Sequence, residues 1–427
     1  MDAPARTTPL SIAGRLPRRR WTICALLFSA TTVNYIDRQA LSILKPVIEK
    51  DLGWTETDYA GVVFWFQLAY TLGVLASGRI IDALGTRIAF AGSIALWGVA
   101  ALAHAFMSTV TGFAIVRFLL GLGESSNMPA SVRATGEWFP VRERALAIGI
   151  FNSGTNAGAM IAPLIVPVIL VAFGWRGAFG VVGLLAILML AVWLWRFRTP
   201  ERDDKLSAFE LAHIRQDAPP TEQPKPKLGD VLRTRGLWAV ALTRFCTDPV
   251  WSFLLFWLPD FFHKRYGLNI SQFGPPLFAI YLLAGVGSIG GGWLSGRLIA
   301  RGMPPFAARR ATLLFCASCA VPAAFLSGVG SVALAVLIVG TVAAAHQAWG
   351  VTLWALCADI FPKEVLGTVI AITGAVSGAG ALLMITVVGR VLQGADGYGA
   401  IFTAVGLAYL AGFGIFSVAI RRARTAT

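Results

Sequence analysis

Long runs of apolar residues, separated by short polar connections, occupy most of this chain. Each run has about 20 residues or more, enough to cross a hydrocarbon core of about 30 Å as a helix rising about 1.5 Å per residue. Because lipid offers no hydrogen-bond partners, such a run must satisfy its backbone groups internally and is expected to be helical. The pattern predicts twelve spans, near residues 21–44, 58–80, 87–106, 110–133, 144–171, 175–197, 236–262, 274–299, 308–328, 331–357, 364–393 and 398–420.

A polar stretch at residues 198–235 divides these spans into two sets of six. It is rich in proline and charge, which is typical of a linker. We therefore predict an all-α membrane protein with 12 transmembrane helices in two six-helix, pseudo-symmetric halves. The expected parts are an arm (1–20), an N-terminal bundle (21–197), the linker (198–235), a C-terminal bundle (236–420) and a tail (421–427).

Two short segments recur between the halves. Ser77-Gly78-Arg79-Ile80-Ile81 returns as Ser295-Gly296-Arg297-Leu298-Ile299, and Glu137-Trp138-Phe139-Pro140 returns as Asp359-Ile360-Phe361-Pro362. Both recurrences are about 220 residues apart. A shared offset indicates an internal repeat, and parallel repeats related by an axis along the membrane normal bind their solute midway, at the repeat interface.

Composition and charge agree with this class. Hydrophobic residues make up 56% of the chain and charged residues 14%, too little charge for a soluble domain of this length. The net charge of +14 does not indicate nucleic-acid binding, because the basic residues lie in alternate loops. That distribution predicts that both termini and the linker face the cytoplasm, in a bacterial inner membrane. The five cysteines lie within apolar runs, so we expect no metal site and no cofactor.

Four charges lie deep inside predicted spans. Asp37 and Arg38 are in the first span, and Arg117 and Glu124 share a face of the fourth. Each charge at mid-membrane costs about 2.5–3.5 kcal/mol on insertion scales, so these residues must face a wet cavity or one another. They could form static ion pairs, but intramembrane charges are functional by default, and we interpret them as a transport site.

The balance of these charges suggests a mechanism. Two acids and two arginines leave the empty, deprotonated site neutral. Protonating one acid adds a positive charge that one carboxylate solute would neutralise, so half-loaded states carry an unpaired buried charge. We therefore predict proton–anion symport, with the proton as coupling ion, Glu124 as main proton carrier and Asp37 and Arg117 assisting.

Neutral polar side chains at helical spacing could complete a binding site. Their amides and hydroxyls suit a polyhydroxylated solute, and aromatic rings pack against sugars. The alternative for each is an interhelical hydrogen bond, worth about 0.6 kcal/mol. The candidates are Tyr35, Tyr70, Asn152, Thr155, Asn156, His346, Gln347, Trp354, Thr373 and Ser377. Arg244 and Asp248, spaced i, i+4 before Pro249, predict an intrahelical ion pair at a kink, which we assign to gating rather than binding.

The segment from Gly78 to Arg87, with Asp82 and Gly85 between them, resembles the signature of the major facilitator superfamily. The resemblance implies the major facilitator fold and a gating role for Gly78, Asp82 and Arg87. Seven further segments resemble the anion:cation symporter family. The last three of those named next resemble its bacterial hexuronate transporters in particular. The seven segments are Asn34–Arg38, Arg117–Glu124, Glu137–Pro140, Phe151–Gly154, Thr247–Trp251, Ser288–Trp293 and His346–Trp349.

This resemblance implies residue roles. The proton-coupling acids of the family fall on Asp37 and Glu124, and the partner of the substrate carboxylate falls on Arg38, with Tyr35 and Tyr70 beside it. Arg117 matches the basic residue that interacts with the acid of the fourth span. The family's glutamine in span five is replaced by Thr155 and its asparagine in span eleven falls near Gly374. The resemblance therefore implies a sugar acid as the solute more firmly than it implies hexuronate in particular.

The expected function is proton-coupled uptake of a small organic anion such as glucuronate or galacturonate, by a functional monomer embedded in lipid. A symporter for an aldonate, an aldarate or a small monocarboxylate is an alternative. A proton-coupled drug efflux antiporter would share the fold, but an arginine-lined site favours anions. An enzyme is not expected, because the sequence contains no metal-ligand cluster, nucleophile–base pair or phosphate loop.

Overall fold

The computed structural model describes residues 19–216, 228–361, 363–394 and 397–424, so most of the predicted arm lies outside the described residues. These residues form α-helices joined by short 3-10 segments, with no strand among them. The helices are α1 (Arg19–Leu52), α2 (Glu56–Ala103), α3 (Val110–Glu124), α4 (Asn127–Trp138), α5 (Val141–Arg196), α6 (Ala208–Arg215), α7 (Leu228–Arg233), α8 (Arg235–Tyr266), α9 (Gly274–Ala300), α10 (Pro305–Ala320), α11 (Val332–Ile360), α12 (Lys363–Val391) and α13 (Gly397–Arg424).

Each predicted span is present as helix, but the helices are not divided as predicted. The second and third spans are joined in α2 and the fifth and sixth in α5, and each pair is broken at one glycine. Gly85 has φ 75° and Gly174 has φ 69°, backbone angles that glycine adopts without a steric penalty. The fourth span is divided between α3 and α4, which Ser125 and Ser126 separate.

Nine stretches of the described chain are long and apolar enough to cross a membrane. One of them, Ala147–Arg196, contains both the fifth and the sixth span. The first and fourth spans are not among the nine. Buried charges lower the hydropathy of α1, and α3 and α4 are each too short to qualify alone.

The repeat found in the sequence has a local structural counterpart. α4 and α11 end in the same way, at Phe139 and Phe361, whose backbones are extended. Each phenylalanine N–H donates to the carbonyl four residues earlier, on Thr135 or Cys357. The next long helix, α5 or α12, then begins within two residues.

The helices pack as two bundles that meet along three pairs. α1 packs against α5 and α2 against α3 in the first bundle, and α8 against α12 and α9 against α11 in the second. The bundles meet where α1 contacts α8, α2 contacts α12 and α5 contacts α9. Glycine allows the closest approaches: a Cβ at Gly158 would lie 2.5 Å from the Thr32 carbonyl oxygen, and one at Gly287 2.2 Å from that of Ala344.

A buried group of charges joins the two bundles at the end where α1 finishes and α2 begins. Lys45 is fully buried, and its Nζ lies 3.0 Å from Glu49, 2.9 Å from Glu56 and 2.8 Å from Asp260 of the second bundle. Lys264 pairs with Glu56 and Asp260, so the charges alternate across the boundary. We call these five residues the closed-end cluster.

Toward the opposite end the bundles diverge. Gln347 on α11 donates to Asn156 on α5 at 3.3 Å, which places both residues at the boundary. Asn152 lies one turn from Asn156 toward the chain termini and is exposed, and Trp354 lies two turns from Gln347 and is 40% exposed. The space between the bundles therefore opens toward the end that carries the termini.

The predicted linker contains structure that its composition did not indicate. Asp203 pairs with Arg19 at 2.8 Å, and Glu210 of α6 pairs with Arg20 at 3.0 Å. Arg20 also binds Glu143 at 2.7 Å, and His213 of α6 lies 3.0 Å from Glu143. This part of the linker is therefore docked on the first bundle, whereas residues 217–227 lie outside the described residues.

We predict that Asp260→Asn opens the closed end. Loss of one partner from a buried charge pair costs about 2–5 kcal/mol, and about 1.4 kcal/mol changes a population tenfold. Ala60, which packs against Gly389 of α12, supplies the probe. In a background without native cysteines, an Ala60→Cys probe should react with maleimide at least about tenfold faster when Asp260 is replaced. Asp51→Asn, at the same end but paired within one bundle to Arg176, should leave the rate unchanged; equal rates in both variants would contradict the prediction.

The linker contact should depend on pH. The hydrogen bond from Arg20 lowers the pKa of Glu143, so its stabilisation is present above the unfolded pKa of about 4.3 and is lost as pH falls through the lower folded value. Glu143→Gln should lower the thermal midpoint in detergent at pH 7, with a loss of about 1 kcal/mol or less because the pair is partly exposed. The difference from wild type should shrink as pH falls below the unfolded pKa of about 4.3 and should vanish once pH is below the lower folded pKa. A difference that does not vary with pH would rule out this contribution.

Candidate functional site

The structure brings the four predicted intramembrane charges together in the first bundle. Arg38 on α1 donates from Nε and Nη2 to Oε2 of Glu124 on α3, at 3.0 and 2.7 Å. Glu124 is fully buried and Arg38 is 8% exposed. The charges of Arg117 and Glu124 both act on Asp37, which is also fully buried.

The pairing differs from the one that the resemblance implies. The resemblance pairs Glu124 with Arg117, and in the structure the hydrogen-bonded partner of Glu124 is Arg38. Seven residues along one helix correspond to a rise of about 10 Å, so a direct contact on α3 would require both side chains to bend toward each other. Arg38 approaches Glu124 from the neighbouring helix, where no such bending is needed.

Aromatic rings surround the Arg38 guanidinium. Its Cζ lies 4.8 Å from the ring centre of Tyr35, 4.7 Å from that of Tyr70 and 5.2 Å from that of Phe66. Arg117 lies 5.7 Å from Phe66. Cation–π contacts of this kind stabilise an arginine away from water, and they place two predicted binding residues, Tyr35 and Tyr70, directly on Arg38.

Several buried polar atoms in this group have no hydrogen-bond partner among the described residues. They include both carboxylate oxygens of Asp37, both amide atoms of Asn34, Oε1 of Glu124, and Nε and Nη2 of Arg117. Buried polar groups are normally paired, so unpaired ones require an explanation. These acceptors and donors could bind a proton, water or a solute.

A second polar group lies in the other bundle. Arg244 donates to Asp248 at 2.8 Å, the intrahelical pair that the spacing predicted, and to Thr373 of α12 at 3.0 Å. Ser377 donates to Asp248 at 2.7 Å. The pair lines a cavity of about 130 Å³ together with three predicted binding residues, His346, Gln347 and Trp354. Arg244 and Asp248, assigned to gating from the sequence, therefore share a cavity with residues assigned to binding.

The remaining candidates are placed as follows. His346 is hydrogen-bonded through Nδ1 to Tyr409 Oη at 2.7 Å and is stacked on Trp251, with ring centres 5.3 Å apart. Thr155 donates to the Asn152 carbonyl of its own helix at 2.8 Å. Tyr409 and Trp251 were not singled out from the sequence.

Of the three gating residues from the signature segment, the structure describes Gly78 and Arg87 in full. Arg87 of α2 donates from Nη2 to the Leu194 carbonyl of α5 at 2.8 Å, so this hydrogen bond joins the two helices. A Cβ at Gly78 would meet no atom within 4 Å. The side chain of Asp82 lies outside the described residues.

Two contacts between the bundles were not predicted from the sequence. Gln39, next to Arg38, donates to Tyr281 Oη on α9 at 2.6 Å. The closed-end cluster was also missed, although Lys45 lies within the first helix beside Pro46, and Asp260 follows Pro259 between apolar residues. Those positions could have been found by asking which charges interrupt an apolar run.

Comparisons with known proteins agree with this architecture. The family model of the Major Facilitator Superfamily matches residues 27–385. The hexuronate transporter of Escherichia coli (strain K12) is 30% identical over 376 residues, covering 87% of each chain. A probable galactarate/D-glucarate transporter of Bacillus subtilis (strain 168) is 29% identical over 382 residues, covering 85% of this chain and 83% of that protein.

Solved structures with low sequence identity share the fold. The D-xylose–proton symporter superimposes with a TM-score of 0.71 at 16% identity, covering 92% of this chain and 97% of that one. An inward-facing bacterial homologue of the human lysosomal transporter Spinster superimposes with a TM-score of 0.70 at 17% identity. The match covers 95% of this chain and 96% of that one. These findings confirm the predicted all-α fold and a multi-pass transporter rather than an enzyme. The chain belongs to the Major Facilitator Superfamily.

Proposed function

We propose that this protein takes up a sugar acid together with protons by alternating access. The observation that supports this most directly is the buried Arg38–Glu124 pair beside Asp37, whose carboxylate oxygens have no partner among the described residues. The substrate class rests on relatives: a hexuronate transporter, a galacturonate transporter of Dickeya chrysanthemi at 30% identity over 279 residues, and a probable galactarate/D-glucarate transporter.

Glu124 is the proposed proton carrier, because its protonation changes what Arg38 can bind. In the deprotonated state one Glu124 oxygen accepts both hydrogen bonds from Arg38. A proton on Glu124 removes its charge and leaves the buried guanidinium without a counter-ion. A solute carboxylate can then take that place, in the geometry that guanidinium groups favour. Proton and anion thus bind together, and neither binds well alone.

The two bundles together have two ends, and alternating access requires these ends to open in turn. The closed-end cluster holds the bundles together at one end, and the space between them opens at the other. With the termini in the cytoplasm of a bacterium, this arrangement faces inward. Breaking the Lys45–Asp260 contact and closing the opposite end would expose the same site to the outside.

Transport by purified protein in proteoliposomes tests the proposal. Radiolabelled glucuronate counterflow should be inhibited by galacturonate, galactonate or glucarate, and not by lactate or phosphate. Net uptake should be driven by an inwardly directed proton gradient. Failure of all sugar acids to exchange would exclude this substrate class, and efflux of lipophilic cations in its place would indicate a drug antiporter.

We predict that Glu124→Gln separates binding from proton coupling. The amide keeps the shape of a protonated carboxyl, so glucuronate counterflow should persist, whereas uptake driven by a pH gradient should fall to the background. Glu201→Gln, on the surface and paired with Arg215, should retain both activities. Proton-driven uptake at the wild-type rate in the Glu124→Gln variant would contradict the assignment.

A second prediction separates transport from fold stability. Glu124→Leu leaves Arg38 buried without a counter-ion and should destabilise the protein by about 3–5 kcal/mol. The double variant Arg38→Met/Glu124→Leu removes both charges and should recover most of the thermal midpoint without recovering transport. Recovery of uptake along with stability would mean that the pair is only structural.

A further inference from the structure

The cavity of the second bundle contains an arginine that can accept an anion. Arg244 donates from Nε to Asp248 and from Nη1 to Thr373, and within the described residues Nη2 has no acceptor. Its guanidinium lies 4.6 Å from the ring centre of Trp354, which holds its plane in position. Arg38, in contrast, already gives two donors to Glu124 and lies between three rings.

This cavity reaches the boundary between the bundles. It has a volume of about 130 Å³ and is partly open, and Gln347 in its lining donates to Asn156 of the first bundle. A solute carboxylate at Arg244 would therefore lie beside that boundary, and the rest of a sugar acid could extend toward the first bundle.

A line of side chains connects this cavity to Arg38. Gln39, the neighbour of Arg38, donates to Tyr281 across the boundary. Tyr281 contacts Trp251 at 6.1 Å between ring centres, and Trp251 is stacked on His346, which lines the cavity. These contacts lead from the sequence neighbour of Arg38, in the first bundle, to the cavity of Arg244, in the second.

We propose that Arg244 binds a second carboxylate of the solute, and that the preferred solute is a sugar acid with a carboxylate at each end. This inference rests on the proposed function and adds the substrate class to it. Arg38 holds one terminal carboxylate when Glu124 is protonated. Arg244 holds the other, while Gln347 and Asn156, at the boundary, face the hydroxylated chain between them.

The charges of both groups fit a dianion carried with two protons. Arg38, Arg117 and Arg244 balance Asp37, Glu124 and Asp248, so the empty site is neutral. A dicarboxylate brings two negative charges, and protons on Glu124 and Asp37 cancel them. This balance gives a role to Asp37, the buried acid that makes no ion pair with the described residues. A monocarboxylate requires only one of these protons.

Competition in proteoliposomes tests the inference on the full chain. Unlabelled glucarate or unlabelled glucuronate is added to inhibit the counterflow of labelled glucuronate. Of the two, only glucarate has a second carboxylate. We expect glucarate to half-inhibit counterflow at a concentration about tenfold or more lower than glucuronate does. That factor corresponds to the free energy of one charge-assisted hydrogen bond. Equal competition by the two anions would overturn the inference and leave the proposed function intact, whereas absence of any competition would overturn the proposed function itself.

A matched set of variants isolates Arg244. Because Arg244→Gln alone leaves Asp248 unpaired, the informative protein is Arg244→Gln/Asp248→Asn. It should lose the preference for glucarate, because competition by glucarate should fall by more than competition by glucuronate. Its thermal midpoint in detergent shows whether it is folded. Asp248→Asn alone keeps the arginine and should keep the preference. An equal loss for both anions in the double variant would assign Arg244 a structural role.

Proton counting gives a measurement that needs no variant. Wild-type protein should move two protons with each glucarate and one with each glucuronate, measured from the reversal of uptake at opposed solute and pH gradients. Both cycles would then be electrically neutral. One proton for each glucarate would contradict the inference.

Discussion

The structure depends on keeping charged side chains away from both water and lipid. Moving an ion into such surroundings costs several kcal/mol after relaxation, and the cost is offset only by a close counter-ion and further hydrogen bonds. Arg38 and Glu124 meet this requirement between two helices of one bundle. Lys45 and Asp260 meet it between the two bundles. The first pair can persist while the bundles move, whereas the second must separate whenever that end opens.

This difference divides the charged residues by their role in the proposed cycle. Pairs inside a bundle would form a site whose occupancy depends on protons, because an acid that gains a proton releases its arginine. Pairs between bundles would hold one end shut. The Arg244–Asp248 pair belongs to the first kind, since both residues lie on α8 and are further bound by α12. In this proposal, solute binding and gating use separate sets of charges.

Much of the architecture was predictable because lipid restricts the choice to helices of nearly fixed length. The apolar runs predicted every span, and the repeated Phe-Pro segments marked equivalent helix ends at Phe139 and Phe361. The mean hydropathy of α1 is lowered by its buried charges, so its apolar run indicated the span more clearly than its average did. The four intramembrane charges were predicted as a group because each one is costly in isolation.

The partners of those charges could not be predicted. Glu124 is bonded to Arg38, 86 positions away, rather than to Arg117 on its own helix, and the choice depends on helix rotation and depth. Lys45 and Asp260 are distant in sequence, and their contact depends on how the two bundles pack. The docking of α6 was also hidden, because a charged and proline-rich composition indicates a linker whether or not its charges have partners elsewhere.

The closed-end cluster also has a consequence for the medium that it faces. While the bundles are joined, Lys45 and Asp260 are fully buried, so dissolved salt screens their attraction little, whereas Lys264 is 41% exposed. Once the bundles separate, each lysine and carboxylate gathers its own counter-ions, within a Debye length of about 8 Å at physiological ionic strength. Salt thus favours the separated form over the joined one. In the proposed cycle, the balance between the two forms would respond to the salinity on that side of the membrane.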